Sequence, residues 1–227
     1  MQGDVDGDAM RPGGLGEVQH HAGEELAVRH EERVAVLGAQ PNGGVVAVPT
    51  DSSYALVCHL DDKAAAENLR RIRGVDDKHL LTLLCRDLSE LASYARVDNR
   101  QYRLLKLGTP GPFTFILEAT KEVPRRVSHP SRRTIGLRVP THRVAQELLT
   151  VLGQPLLATT LIPPGETEPL NDAQEIISRY DKVLHGVVDA GACAMEPTTV
   201  IDLTGDEPVL VRSGRGDPAQ LGLAFVN

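Results

Sequence analysis

VVAVPTDSSYAL, residues Val45 to Leu56, is the stretch from which the rest of the chain can be placed. Its first half is an apolar, β-branched run of the kind found in strands covered on both faces. Pro49 has no N–H for a ladder partner and should close the strand. Thr50, Asp51, Ser52 and Ser53 then set three hydroxyls and a carboxylate at the strand's carboxyl end. Ligands of open α/β sheets bind at such ends. A polar turn that caps the next element accounts equally well for TDSS taken alone.

Outward from this strand, helical and extended patterns alternate. Lys63 to Arg73 carries Ala66, Leu69 and Ile72 at helical spacing, with Gly74 suited to stop it. LLTLLC reads as a strand ending at Cys85. Leu88 to Tyr94 and Arg100 to Leu107 read as short helices, and Phe113 to Ala119 as a strand. In TPGPF, Gly111 between two prolines is a constrained entrance to that strand. Thr141 to Leu152 reads as a helix with Val144, Leu148 and Val151 or Leu152 inward, ended by Gly153. PLLATT is a short buried strand, and Asp172 with Glu175 can form a capping box for a helix from Ala173 to Leu184. VVDAG, TTVIDL and PVLVR supply three more strands, the last two joined by a turn over Thr204 to Glu207. The expected class is α/β, a twisted mixed sheet with surrounding helices. Residues 1–23, rich in Gly and Asp, read as a disordered or accessory segment, and residues 24–227 as one domain. Glu24 to Leu37 gives a weak helical pattern.

The formal charge of −7 is concentrated at one end, because residues 1–32 hold eight acids against two Lys or Arg. The body is close to neutral, and its cations are clustered. Arg70, Arg71, Arg73 and Lys78 form one group, and Lys121 to Arg143 holds seven Lys or Arg against one Glu. Such groups can hold phosphates or a carboxylate, or be solvated surface charge. In SRRTIGLRVPTH, Ile135, Leu137 and Val139 on one face leave Arg138 on the other with Gly136 and Pro140. An arginine inside an interior strand needs an anionic partner or water. Either a ligand or a structural salt bridge meets that need.

Three scattered cysteines, Cys58, Cys85 and Cys193, lack CxxC spacing and make a disulfide framework or zinc knuckle unexpected. His20 and His21 alone do not make a metal site, and no metal ligand is assigned. No apolar run is long enough to span a bilayer and no signal-peptide order is present, so a cytoplasmic protein with no membrane association is expected. The chain also lacks GxxxxGK[ST], HExxH and GxSxG. The remaining hydroxyls and arginines at strand ends suit positioning of an anionic ligand better than covalent catalysis.

Taken in order, PTDSSYAL, the Arg71/Arg73/Lys78 group, TPGPFTFIL, IGLRVPTH and PTTVIDLTGDEPVLVRSG resemble the YrdC-like family over roughly Val45 to Asp217. RIR, CRDLSEL, TKEVPRR and PTTVIDLT are most similar to its YciO branch. The resemblance implies a YrdC-like sheet with a concave, positively charged site. It also implies threonylcarbamoyl-AMP synthesis from L-threonine, bicarbonate and ATP, with Mg²⁺ accompanying ATP, in the service of tRNA modification. Binding of double-stranded RNA is the family's other association. On this resemblance Thr50, Ser52, Arg138 and Thr198 would contact the amino acid. Arg71 and Arg73 would stand at the family's Lys-x-Arg positions as the catalytic cations, and Arg71, Arg73, Lys78, Thr160 and Arg212 would meet the nucleotide. Thr160 and Ile162 occupy a Ser-x-Asn pattern of the synthases, and Cys85 a common histidine position. The alternatives are a YciO-like double-stranded RNA-binding protein without that synthesis, and a small-anion-binding or nucleotide-binding protein.

Overall fold

The computed structural model describes residues 44–225. Nine strands form one sheet in the order β7-β1-β2-β6-β3-β5-β4-β8-β9. They are β1 (Val46–Pro49), β2 (Tyr54–His59), β3 (Thr82–Leu84), β4 (Phe113–Glu118), β5 (Thr134–Arg138), β6 (Leu156–Thr160), β7 (Gly186–Val187), β8 (Thr199–Asp202) and β9 (Val209–Arg212). The helices are α1 (Lys63–Arg73), α2 (Leu88–Tyr94), α3 (Asn99–Gly108), α4 (Arg143–Leu152) and α5 (Ala173–Tyr180), with a 3₁₀ turn at Pro218–Leu221. Pairing is mixed: β1 runs antiparallel to β2 and parallel to β7, while β3 is parallel to β5 and antiparallel to β6. The expected helix Glu24–Leu37, residues 1–23 and the His20/His21 pair lie outside the described residues.

The strand alternation sorts side chains onto two unequal faces. Ala47, Leu56, Leu83, Leu117, Ile135, Leu137 and Leu157 point into one apolar layer with Ala65, Leu69 and Ile72 of α1, Leu91 of α2, Leu105 of α3 and Ile176 of α5. The other face has a smaller cluster, in which Val46, Val48, Val57, Leu84, Leu156 and Ala158 meet Leu148 and Leu149 of α4. Beyond that cluster the second face is not filled by apolar side chains. Its residues there are Thr82, Gly136, Arg138, Thr114 and Val200, and a cavity lies over them.

Local signals explain where the helices stop. Asp62 caps α1 by accepting from the Ala65 N–H at 2.9 Å, and Gly74, at φ +70°, closes it in the left-handed conformation that glycine adopts without strain. Arg70, Arg71 and Arg73 occupy the last turn of α1, where cations complement the helix dipole.

Two expected helix boundaries shift, and the expected strand VVDAG shrinks to Gly186–Val187. Helix α4 begins at Arg143 rather than Thr141, because His142 is extended at φ −65° and ψ 125° and serves as the N-cap, while the Thr141 N–H donates to Asp51 Oδ1 at 3.1 Å. Its buried positions are Ala145, Leu148 and Leu149, with Val144 and Leu152 partly buried and Val151 58% exposed. Helix α5 ends at Tyr180 rather than Leu184, since Val183 and Leu184 both donate to the Tyr180 carbonyl in a turn that brings His185 N–H onto Val45 O at 2.9 Å. Of the proposed capping box there, Asp172 accepts from Glu175 N–H at 2.9 Å, while the Glu175 carboxylate instead meets Arg179 at 3.2 Å. None of the helices among the described residues is long and apolar enough to cross a membrane.

Leu83, fully buried in a central strand, should lose about 2–5 kcal/mol of stability as Leu83→Ala, through transfer and cavity costs. At Gly214, an added Cβ would lie 2.3 Å from the Pro197 carbonyl oxygen. Because that neighbour is backbone, Gly214→Ala should cost on the order of 1–3 kcal/mol. Urea denaturation of the two variants checks both, with lower midpoints expected in each case.

Candidate functional site

The turn after β1 is held by one hydroxyl. Thr50 Oγ1 donates to Ser53 O at 2.7 Å and accepts from the Ser52 and Ser53 N–H groups at 3.2 and 3.3 Å. Thr50 Oγ1 also lies 3.1 Å from Ser52 Oγ. Ser52 in turn accepts from Arg138 Nη1 at 2.9 Å. The polar turn is therefore fixed onto the end of β5, and the four residues Thr50 to Ser53 are turned toward the sheet's open face rather than out to water.

Arg138 is almost fully buried. Its Nη2 lies 2.7 Å from Asp51 Oδ1 in a charge contact, while its Nε and the second carboxylate oxygen, Oδ2 of Asp51, have no hydrogen-bond partner among the described residues. Burial alone would push the Asp51 carboxyl upward, but the Arg138 charge and the hydrogen bonds outweigh it and hold the carboxyl below its ordinary value. Arg138 stays charged despite burial, since a guanidinium does not deprotonate in a protein. The salt-bridge reading of Arg138 holds through Asp51, and Nε is a buried donor with no acceptor among the described residues.

The opposite wall comes from β4, β8 and β9. Thr114 and Thr198 hydroxyls lie 2.9 Å apart, and Arg212 donates to Thr198 O through Nη2 at 2.9 Å and to its Oγ1 at 3.2 Å. Burial, followed by the charge of Arg138, lowers the Arg212 pKa, so the two guanidinium groups feel each other across the site. Gly136 forms the floor between these walls. A Cβ there would lie 3.0 Å from Thr82 Oγ1 and 3.3 Å from Thr114 Cγ2, so a side chain would fill the space over β5.

The cavity enclosed by these groups has a volume of about 460 Å³, within the range of small-molecule sites. Among the described residues its lining holds three arginines, Arg73, Arg138 and Arg212, one histidine, His79, and no carboxylate. Thr50, Ser52, Thr160, Thr198, Arg73, Arg138 and Arg212, all named from the sequence, line it together with Ile162. Arg71 and Lys78 do not: both are exposed, and Arg71 donates to Asn68 Oδ1 at 2.6 Å. Cys85 is buried in the apolar layer, where loss of solvation pushes its thiol far up, and it too lies outside the lining. Among the described residues no cluster of three or more His, Cys, Asp or Glu is placed to hold a metal ion.

Sequence reasoning missed Thr82, Thr114 and His79. The two threonines were legible from the β3 and β4 alternation once the core face was assigned. His79 had no signal beyond its place beside Lys78. It lies on the lining with Nε2 at 3.3 Å from Thr159 Oγ1, and burial, then the charges of Arg73 and Arg70, lower its pKa.

Comparison with known proteins matches this arrangement to a family. A family model described as Telomere recombination, Sua5_yciO_yrdC, matches residues 39–214. The YciO protein of Escherichia coli is 52% identical over 175 residues, covering 77% of this chain and 85% of its own length. A Haemophilus influenzae protein is 48% identical over 178 residues, covering 78% and 86% respectively. The crystal structure of Escherichia coli YciO superposes with a TM-score of 0.79 at 47% identity, over 86% of this chain and 93% of that one. P. abyssi Sua5 complexed with L-threonine superposes with a TM-score of 0.73 at 26% identity, over 82% of this chain and 54% of that one. With a family model spanning most of the chain and relatives near half identity, the chain belongs to the Sua5/YciO/YrdC family.

Proposed function

We propose that the cavity binds a small amino acid and a nucleotide and that the protein is a threonylcarbamoyl-AMP synthase-like enzyme. The observation that carries this reading is the lining: three arginines, eight hydroxyl side chains and no carboxylate around about 460 Å³. Such a site is built to receive anions, and the hydroxyls supply directional partners for the rest of a ligand. The similarity to a Sua5 solved with L-threonine supports threonine as the amino acid.

In this reading Arg138 Nε and the hydroxyl of Ser52 orient the threonine carboxylate, with Thr50 keeping the turn in place. The threonine ammonium group and bicarbonate give a carbamate, with loss of water and of one proton from the ammonium. A carbamate oxygen then bonds to the α-phosphorus of ATP, and the bond to the β-phosphate oxygen breaks, releasing pyrophosphate. Arg73 and Arg212 would offset the developing charge, and Thr160 would bond a phosphate oxygen. Mg²⁺ would enter with ATP, shielding its phosphates, since the described residues include no metal-ligand cluster. No side chain becomes a covalent nucleophile.

A second reading is favoured by Arg71 and Lys78. Their exposure outside the cavity suits contact with a phosphate backbone such as that of double-stranded RNA or tRNA, with salt-sensitive affinity. Ile162 on the lining favours it too, because an apolar side chain cannot bond a triphosphate.

Product-resolved mass spectrometry with ATP, Mg²⁺, bicarbonate and isotope-labelled L-threonine should show threonylcarbamoyl-AMP and pyrophosphate in equal amounts. Arg138→Lys keeps the charge beside Asp51 but loses the fork, and should lower kcat/KM for threonine at least ~10-fold. Arg138→Ala is the poorer probe: leaving Asp51 buried and unpaired should cost about 3–5 kcal/mol of stability, readable as a lower urea midpoint. No labelled product from folded protein, together with RNA binding that weakens steeply between 50 and 200 mM salt and in an Arg71→Gln/Lys78→Gln variant, would replace the synthase reading by the second.

A further inference from the structure

Among the described residues His79 is the one cavity-lining side chain able to change charge near neutral pH, because the other ionisable groups of the lining are Arg73, Arg138 and Arg212. The proposed chemistry gives it no task. Its position is fixed from two sides. Its backbone N–H donates to Asp76 Oδ1 at 3.1 Å, and its ring Nε2 lies 3.3 Å from Thr159 Oγ1 on β6. Beside it Arg73 turns in from the end of α1, and Arg73 Nε is buried with no hydrogen-bond partner among the described residues. An orphaned buried donor in a cavity wall is a costly feature unless something accepts from it.

The charges around His79 are uneven. Arg73 and Arg70 of α1 both oppose its protonation, Asp76 in the following loop favours it, and Thr159 of β6 is neutral. Arg70 is itself tied back by its Nε to Asp76 O at 3.3 Å. Lys78 is exposed, while Arg138 and Arg212 sit elsewhere on the same lining. Burial is the largest of these effects, and together with the two arginine charges it lowers the His79 pKa and favours the neutral imidazole. An oxyanion on Arg73 reverses the balance. It offsets the arginine charge and offers the imidazolium a partner.

We propose that His79 and Arg73 form an oxyanion contact for a phosphoryl or pyrophosphate group, and that His79 takes up a proton when the anion binds. Register places the backbone of His79 ahead of β3, next to Thr159 and Thr160 of β6, while Arg138 pairs with Leu84 at the other end of β3. The contact also supplies a polar partner where Ile162 offers none. It deepens the nucleotide reading given above by naming its phosphate end, and it makes binding pH-regulated.

Sulfate is a suitable probe because its charge is constant over the pH range of interest. NMR of the full chain with ¹³C-labelled histidine, His79 being assigned by its absence in His79→Gln, gives its titration with and without sulfate. The expected result is a pKa below 6.5 in the free protein that rises by about one unit on saturation. Sulfate affinity should then increase about fivefold from pH 7.5 to 5.5, toward the tenfold limit that linkage sets for a one-unit shift. His79→Gln should bind sulfate without that pH dependence, and Arg73→Gln should weaken binding at every pH. A His79 titration unchanged by saturating sulfate, or no sulfate binding at all, overturns the proposal. Threonylcarbamoyl-AMP formation with an unmoved His79 would overturn it while leaving the synthase reading in place. A shifted His79 without any product would support it and remove the synthase reading instead.

Discussion

The arrangement of the site depends on one buried guanidinium. Arg138 sits on an interior strand, where a charge without partners is costly, and it is made tolerable by Asp51 and Ser52 from a turn far away in sequence. That requirement fixes the turn, which in turn fixes Thr50 and draws the Thr141 N–H onto Asp51, just ahead of the start of α4. The same ion pair has a pH signature. Because the Asp51 carboxyl lies below its unfolded value, its contribution to stability is present above about pH 4 and is lost as pH falls through the folded-state value.

A second constraint is the pleat of the sheet. On β5 the residues Ile135 and Leu137 enter the apolar layer, so Gly136 and Arg138 must face the other way. On β4 the same rule sends Phe115 and Leu117 to the core and Thr114 and Ile116 to the cavity. Helix α4 covers the second face only over β1, β2, β3 and β6. The cavity is the uncovered remainder, with the small Gly136 as floor and hydroxyls as walls.

These rules determine what could be read in the sequence. Strands buried on both faces announce themselves as apolar runs, and Gly74 and Gly153 mark helix ends by local backbone chemistry, so β1, β4, β6 and α1 were legible. The side of Arg138 was legible from period two. Its partner Asp51 was not, because the two are brought together by the pairing of nonconsecutive strands and no local pattern encodes that contact. The start of α4 and the end of α5 were missed because neither is set by a local pattern: His142 takes an extended backbone, and the chain after Tyr180 turns to put His185 N–H on Val45 O. Arg71 and Arg73 show the limit at finer scale: two residues apart on one helix end, one is exposed and the other turns into the cavity, and only the packing of α1 against the sheet distinguishes them. His79 fell between two named segments and became visible only through Thr159.

The central claim is that the unused edge of Arg138 receives the carboxylate of a small amino acid while Asp51 holds the other edge. A crystal structure of the protein grown with L-threonine tests it directly. The account predicts the threonine carboxylate within hydrogen-bond distance of Arg138 Nε or the Ser52 hydroxyl, with the Asp51 contact intact. Threonine bound away from Arg138, or a cavity left empty at saturating threonine, would contradict it.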